Sequence, residues 1–433
     1  MEKQWFGSIV KEGSADVFVA GGGVAGCAAA LQAARCKKSV VLAEKSLKLG
    51  GLATLGLVNL FVPMCNGLGK QIQFGMAEEF LRLAIRYGYG DTPKEFVNGR
   101  IPGEVIREYR EAGKKLPRYT AKFSAELFAL SLTELLTEAG VKLLFDTEAV
   151  GVETAENDPN KLKSVIVHTA SGFERWEAAV FIDTTGSAEL LSLLGVPTVK
   201  GINYHTYSGQ AITLESCRKA VEAGDIAKAI TGADGGNATL YGTRHPEGLK
   251  PYDGTDSAEV NRYVITNQLE MLSHYKDTEN RKTREVVTLP GMPQFREIRR
   301  IRGDYALKDE DVYRHFDDSI AAISDFSRRE LLFEIPYRAL VMKDYPNVLT
   351  AGRSAAGEGF AWDVIRVIPP AILTGQAAGL AAAMTAGSGK SVAEADVGAL
   401  QDALKALNVL IHFDDGDVPK SAGPVEKEEN DVF

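Results

Sequence analysis

The sequence predicts an α/β fold built on a dinucleotide-binding βαβ unit. Three observations predict it, all within residues 16–51, DVFVAGGGVAGCAAALQAARCKKSVVLAEKSLKLGG. A short apolar run, Val17 to Ala20, has the composition of a buried strand, and Gly21-x-Gly23-x-x-Gly26 follows at once. An alanine-rich stretch without a helix breaker runs to Cys36. A second apolar strand, Ser39 to Ala43, then ends on Glu44. Strand, glycine turn, helix, strand and acid is the order of a dinucleotide-binding unit.

Each element has its own task. Gly21 permits the tight turn, Gly23 lets the backbone approach a pyrophosphate, and Gly26 lets the helix pack closely on the strand. The helix opens at Val24 and Ala25, so its free N–H groups and positive dipole end face the phosphates. Glu44 stands 18 residues after Gly26, where an acid accepts hydrogen bonds from ribose hydroxyls and repels a 2′-phosphate. The segment that continues from Lys45, KSLKLGGLAT, departs from the plain crossover of an NAD-only dehydrogenase. It brings a second glycine pair, Gly50-Gly51, followed by Ala53 and Thr54.

FAD enzymes of the glutathione-reductase type carry a glycine pair at this point, running along the pyrophosphate and flavin. The chain resembles the FAD-dependent oxidoreductase family of that superfamily. Val180-Phe-Ile-Asp-Thr-Thr-Gly186 resembles the family's second flavin motif, with Thr184-Thr185 where Ala-Thr is commoner. Asn347-Val-Leu-Thr-Ala-Gly-Arg353 resembles the third. Arg296-Glu-Ile-Arg-Arg300 with Gly303-Asp-Tyr, then Ile335-Pro-Tyr-Arg338, Ile365-Arg-Val-Ile-Pro369 and Gly375-Gln-Ala-Ala-Gly379 complete the set, in family order. The motifs span residues 16 to about 387; residues 201–290 match less clearly.

The resemblance implies FAD as cofactor. It implies a Rossmann-like FAD-binding domain, a parallel sheet with helices on one face and a β-hairpin or meander on the other, with an inserted α+β cap. It assigns Thr185, Gly186, Gly352 and Arg353 to the cofactor and places the backbone of Val150 against the adenine. The helix after the Gly-Arg motif then points its N-terminus at the flavin, through the backbone of Pro370, Ala371 and Ile372. Glu358 and Asp363 fall between the two, near the ring.

Along the chain, residues 14–60, 123–199 and 336–410 read as a discontinuous FAD-binding domain. Phe123 to Ala139 has helical spacing, with Ser124 as N-cap and Gly140 as stop. Phe173–Glu177 and Val180–Asp183 read as separate strands. Residues 61–122 and 200–335 read as cap and substrate domain, and 414–433 as an acidic, disordered tail. Residues 231–242 are glycine-rich but lack a preceding apolar strand and a following alanine-rich helix. No separate NAD(P)H domain is expected.

A net charge of −9 gives no support for nucleic-acid or anionic-membrane binding. Met1 to Val10 lacks the apolar core of a secretory signal, so a cytoplasmic location is expected. Val367 to Gly389 carries no charge, yet Pro369-Pro370, Gln376 and four glycines make it a buried helix starting near Pro370, not a membrane span. The cysteines, Cys27, Cys36, Cys65 and Cys217, form no CxxC pair and no metal spacing, and no metal site is expected. A redox pair after Gly51 is absent, which separates the chain from disulfide reductases. Cys27 and Cys65 read as packing residues.

For the chemistry, the segment Arg296 to Arg302 (REIRRIR) is the densest positive cluster. It reads either as a solvated face or as an anion clamp. The resemblance favours function at Arg296, Glu297 and Arg300. Arg338 and Arg366 sit among apolar residues and prolines, so each needs a buried partner or a ligand. His205 and Tyr337 are the candidates for proton transfer. The expected activity is hydride transfer between the flavin and a small polar substrate bearing a carboxylate or several hydroxyls, direction unassigned. The competing reading is a flavin-binding electron-transfer or scaffold subunit. Self-association stays open.

Overall fold

In the computed structural model, which describes residues 8–239 and 241–419, the βαβ unit forms as predicted. Strand β1 (Ile9–Ala20) leads into helix α1 (Val24–Arg35) and strand β2 (Val40–Ala43). Val17 to Ala20 and all of β2 are buried, which matches a strand covered on both faces. Helix α2 (Ala125–Glu138) is capped by the Ser124 hydroxyl, which accepts from the Leu127 amide. It ends before Gly140, whose φ of +78° suits glycine.

Strands β3 (Lys142–Leu144), β4 (Glu148–Ala155), β5 (Asp158–Thr169) and β6 (Gly172–Asp183) follow, and β7 (Val348–Thr350) closes the sheet. The parallel part runs β3-β2-β1-β6-β7, and β5 and β4 add to β6 as an antiparallel meander. Here the structure departs from the sequence reading. The two strands expected at 173–177 and 180–183 are one strand of 12 residues. Its first half pairs antiparallel with β5 and its second half parallel with β7, while β1 runs beside nearly all of it. Ala178 and Ala179 join the halves without a breaker, so nothing interrupts the ladder.

Two helices meet at a bend of 78° after β7: α3 (Gly359–Arg366) and α4 (Ile368–Thr385). Almost every residue of α4 is buried. Among the described residues no single helix is long and apolar enough to cross a membrane; this bent pair passes by length and composition only. Glycines make the close contact with α1. A Cβ on Gly375 would lie 2.2 Å from the Ala25 carbonyl oxygen, and one on Gly379 equally close to that of Ala29.

The cap has its own small core. Strands Thr206–Thr213, Thr231–Asn237 and Arg284–Thr288 form an antiparallel sheet next to helix Ser257–His274, around Tyr207, Tyr252, Tyr263 and Phe295. Residues 61–122 do not join it. Phe61, Phe80, Phe123 and Phe128 pack edge-to-face inside the main core. The hairpin Ser319–Ser324 with Leu332–Pro336 belongs to the main core as well. At the start of the expected tail, Asp415–Asp417 form a turn, and Asp417 takes an ion pair from Lys70 at 2.5 Å. Residues 420–433 of that tail lie outside the described residues.

Candidate active site

A single cavity gathers the glycine turns. Gly21, Gly23, Val24, Ala25, Glu44, Lys45, Gly50, Gly51 and Ala53 line it from the βαβ side. Thr185, Gly186, Gly352, Arg353 and Ala371 line it from the opposite side. Gly23 lies beside Gly50 in a parallel bridge, so the two glycine segments share one wall.

The three glycines of the fingerprint do separate work. Gly21 has φ +97°, and a Cβ there would meet the Thr184 carbonyl at 2.7 Å. A Cβ on Gly26 would lie 1.9 Å from the Gly21 oxygen, so this glycine sets the helix–strand distance. At Gly23 the nearest protein atom would be 4.0 Å away, so its backbone is open to the cavity. Gly23 is also the N-cap of α1 and carries no side-chain cap, which leaves the amides of the first turn free for an anion.

Glu44 is buried and fixed. One carboxylate oxygen accepts from the Gly22 amide at 2.6 Å, the other from the Ser46 amide at 2.9 Å. Thr54 and Gly26 support the walls without lining them; the Thr54 hydroxyl donates to the Leu49 carbonyl at 2.5 Å. Away from the glycines the cavity is apolar, lined by Leu55, Val58, Leu60, Val62 and Met292. One polar end with free amides and one apolar end fit a dinucleotide that carries an aromatic ring system.

A second chamber of about 260 Å³ adjoins the first and shares Arg296 and Arg366 with it. Asn203, Tyr204, Thr206, Thr239 and Tyr241 bring cap residues to its wall, and Gln294, Glu297 and Asp363 complete the polar set. Asn203 fixes the arginine loop: its side-chain oxygen accepts from the Arg296 and Glu297 amides at 2.7 and 3.1 Å. Gln294 ties the cap to the glycine loop by donating to the Gly56 carbonyl at 2.7 Å.

Charge is concentrated here. Burial, then the nearby Arg366, pulls the Arg296 guanidinium down to about 10. Burial, then Arg366 and Arg296, does the same to Arg353. Burial, then Asp363, pushes the Glu297 carboxyl up to about 7. Arg366 is buried and ion-paired with Asp363, and among the described residues its Nε has no hydrogen-bond partner. In the second chamber Arg296 and Arg366 thus stand with Glu297 and Asp363, and the Glu297 carboxyl is pushed toward its neutral form.

Several expected residues stand elsewhere. Arg338 is held by Asp318 at 2.9 and 3.0 Å over the Tyr305 ring, on the surface and outside both cavities. Tyr337 is buried and donates to the Val392 carbonyl at 2.7 Å, a packing role. His205 lies in the cap core between the Tyr252 hydroxyl at 3.0 Å and Glu270 at 2.7 Å, and lines neither cavity. Val150 is 40% exposed and off the cavity wall. At the start of α4, Pro369 and Pro370 have no N–H, and the Ala371 amide is bonded to the Val367 carbonyl at 2.9 Å. Ile372 is also off the wall. Among the described residues the free donor of that turn is therefore the Ile368 amide, and Val367 and Ile368 do line the cavity.

The sequence reading missed Asn203, Gln294, Thr239 and Tyr241 as site residues. They belong to no motif, and only the folding of the cap brings them to the arginines.

A family model described as FAD dependent oxidoreductase matches residues 16–266 and 218–404. No curated protein sequence matches the chain. Among solved structures it is similar to p-nitrophenol 4-monooxygenase PnpA from Pseudomonas putida DLL-E4, with 12% identity over 94% of this chain and 91% of that one (TM-score 0.45). It is similar to L-proline dehydrogenase from P. horikoshii, with 16% identity over 93% and 100% (TM-score 0.37). It is also similar to THI4 from Thermovibrio ammonificans, with 17% identity over 42% of this chain and only 61% of that one (TM-score 0.29).

Proposed function

The chain belongs to the FAD dependent oxidoreductase family, with FAD as its cofactor, and from that premise we propose that it moves a hydride between the flavin and a small carboxylate-bearing substrate. The carrying observation is Arg366. It is buried on the shared wall of both chambers, its Nε is unpartnered among the described residues, and Arg296 stands beside it. Among the described residues the Arg296 guanidinium has no ion-pair partner. Two guanidiniums that share the Asp363 carboxylate suit an incoming anion.

FAD, when bound, supplies the hydride acceptor or donor. Arg296 and Arg366 orient the substrate carboxylate in the side chamber. Glu297 holds a proton at its carboxyl oxygen near neutral pH and exchanges it with the substrate atom that gains or loses one. Asn203 keeps Arg296 and Glu297 in register.

The test is anaerobic mixing of the FAD-loaded protein with 2-hydroxy acids, amino acids and neutral sugars. The expected result is bleaching of the flavin band by carboxylates and not by sugars. The dithionite-reduced protein, mixed with unsaturated acids, covers the opposite direction. Arg296→Ala is expected to keep FAD and lose on the order of 100-fold in kcat/KM, as truncating a buried charged contact does. Equal bleaching by sugars, with turnover unchanged in Arg296→Ala, overturns the carboxylate assignment.

A further inference from the structure

Three side chains distant in sequence meet on the strand Leu332–Pro336. Glu334 has no exposed surface. Nδ1 of His315 is 2.5 Å from Glu334 Oε1, and Nδ1 of His412 is 3.0 Å from Glu334 Oε2. The ligating atoms of all three lie within 4.8 Å of one another. None of the three lines the flavin cavity or the arginine chamber.

From this juxtaposition we propose a divalent-metal site of the zinc class, held by His315 Nδ1, Glu334 and His412 Nδ1, with a fourth position open to water. Two imidazoles and a carboxylate are a donor set that suits zinc. The surroundings supply the orienting contacts such a site uses. The outer nitrogen of His315 is 3.1 Å from Asp415 Oδ1, the carboxylate–histidine arrangement that fixes a ligating ring. Phe413 stacks on the same ring at 4.4 Å. The Phe316 amide donates to Glu334 Oε2 at 2.8 Å and holds the carboxylate.

Metal–ligand bonds of 2.0–2.1 Å set tetrahedral ligand atoms about 3.3 Å apart. The two contacts open to that spacing by small movements of the rings, which are 41% and 42% exposed. The ion then clamps the C-terminal segment to the hairpin. That segment already crosses it through the Ala322 amide to the Leu410 carbonyl and the Ser319 hydroxyl to the Ile411 carbonyl, both 2.6 Å. Sequence spacing does not reveal the site, because 19 and 78 residues separate the histidines from Glu334.

The experiment treats FAD-loaded protein with EDTA, removes the chelator, and titrates zinc chloride by calorimetry beside His315→Ala and His412→Asn. Metal per chain is counted by mass spectrometry after desalting. Circular dichroism and bound FAD report folding. The expected result is one zinc per wild-type chain, binding weakened at least about tenfold in each variant, and a zinc-induced rise in Tm confined to the wild type. If a variant fails to fold, cobalt chloride added to the wild type decides: tetrahedral d–d bands beyond the flavin absorption support the site, and their absence overturns it. Wild-type protein that holds no zinc, or folded variants that bind it equally, also overturns it.

Discussion

Gly23 and Gly26 stand in one turn, and a methyl group added to each meets opposite surroundings. At Gly23 the new carbon enters the cavity; at Gly26 it strikes the Gly21 carbonyl at 1.9 Å and the Thr184 hydroxyl at 2.5 Å. Gly23→Val is expected to purify folded, with an unchanged circular dichroism spectrum and no bound FAD. Gly26→Ala is expected to lower stability itself, by about 1–3 kcal/mol as over-packing does, read as a fall in Tm even without cofactor. Glu297 sets a pH dependence. Burial, then Asp363, raises its carboxyl from 4.5 to about 7, so the folded state keeps a proton that the unfolded chain releases. Its contribution to stability is therefore full below about pH 4.5 and lost as pH rises through about 7. Glu297→Gln keeps the neutral form at every pH, so the fall in Tm between about pH 5 and about pH 8 should be shallower than in the wild type. The fingerprint glycines were legible in the sequence because a positive φ and a close approach are local demands. Arg296 and Arg338 looked equivalent there. Only the fold sends one to the chamber and the other to Asp318.

Helix α4 shows what a motif read at the level of an element captures. Its alanine and glycine surface was read correctly as buried, and the reason is its seam with α1: Gly375 faces the Ala25 carbonyl and Gly379 that of Ala29. Alanine at Gly375 gains about 1 kcal/mol of helix propensity. It also places a carbon 2.2 Å from a backbone oxygen that cannot turn aside. The clash outweighs the propensity, so Gly375→Ala is expected to lower Tm in thermal denaturation. Because α1 carries the open Gly23 amide end, the same variant should bind FAD more weakly, measured by release of flavin on dilution. The start of α4 was the less legible part. Prolines favour a first helical turn and remove its donors at the same time, so the dipole end faces the cavity with the Ile368 amide as its free hydrogen bond.

At the scale of the whole molecule, one 12-residue strand, Gly172–Asp183, belongs to both the meander and the parallel sheet and ends on the Asp183 that holds Thr185 and the Leu191 amide. The Asp183–Gly186 turn is thus fixed by the sheet, and the cap reaches it through Arg299, which donates to the Ser187 carbonyl at 2.7 Å. Pattern reading split that strand and gave residues 61–122 to the cap, because local periodicity carries no information on which core a segment joins. The same layout bears on the source of electrons. The glycine-rich segment 231–242, the only stretch that resembles a second nucleotide turn by composition, places Thr231–Asn237 as an antiparallel strand of the cap sheet, paired with Thr206–Thr213. An antiparallel strand with a partner along its length presents no helix N-terminus to a pyrophosphate, which is what a nicotinamide dinucleotide needs from such a turn. On the proposed carboxylate reading, electrons enter from the substrate in the arginine chamber. Added anaerobically to the FAD-loaded protein, NADH and NADPH should leave the flavin band unchanged over minutes, while a carboxylate donor bleaches it. Rapid bleaching by either nicotinamide would instead place a second dinucleotide beside the flavin without a glycine fold of its own, and the arginine chamber would then serve the acceptor.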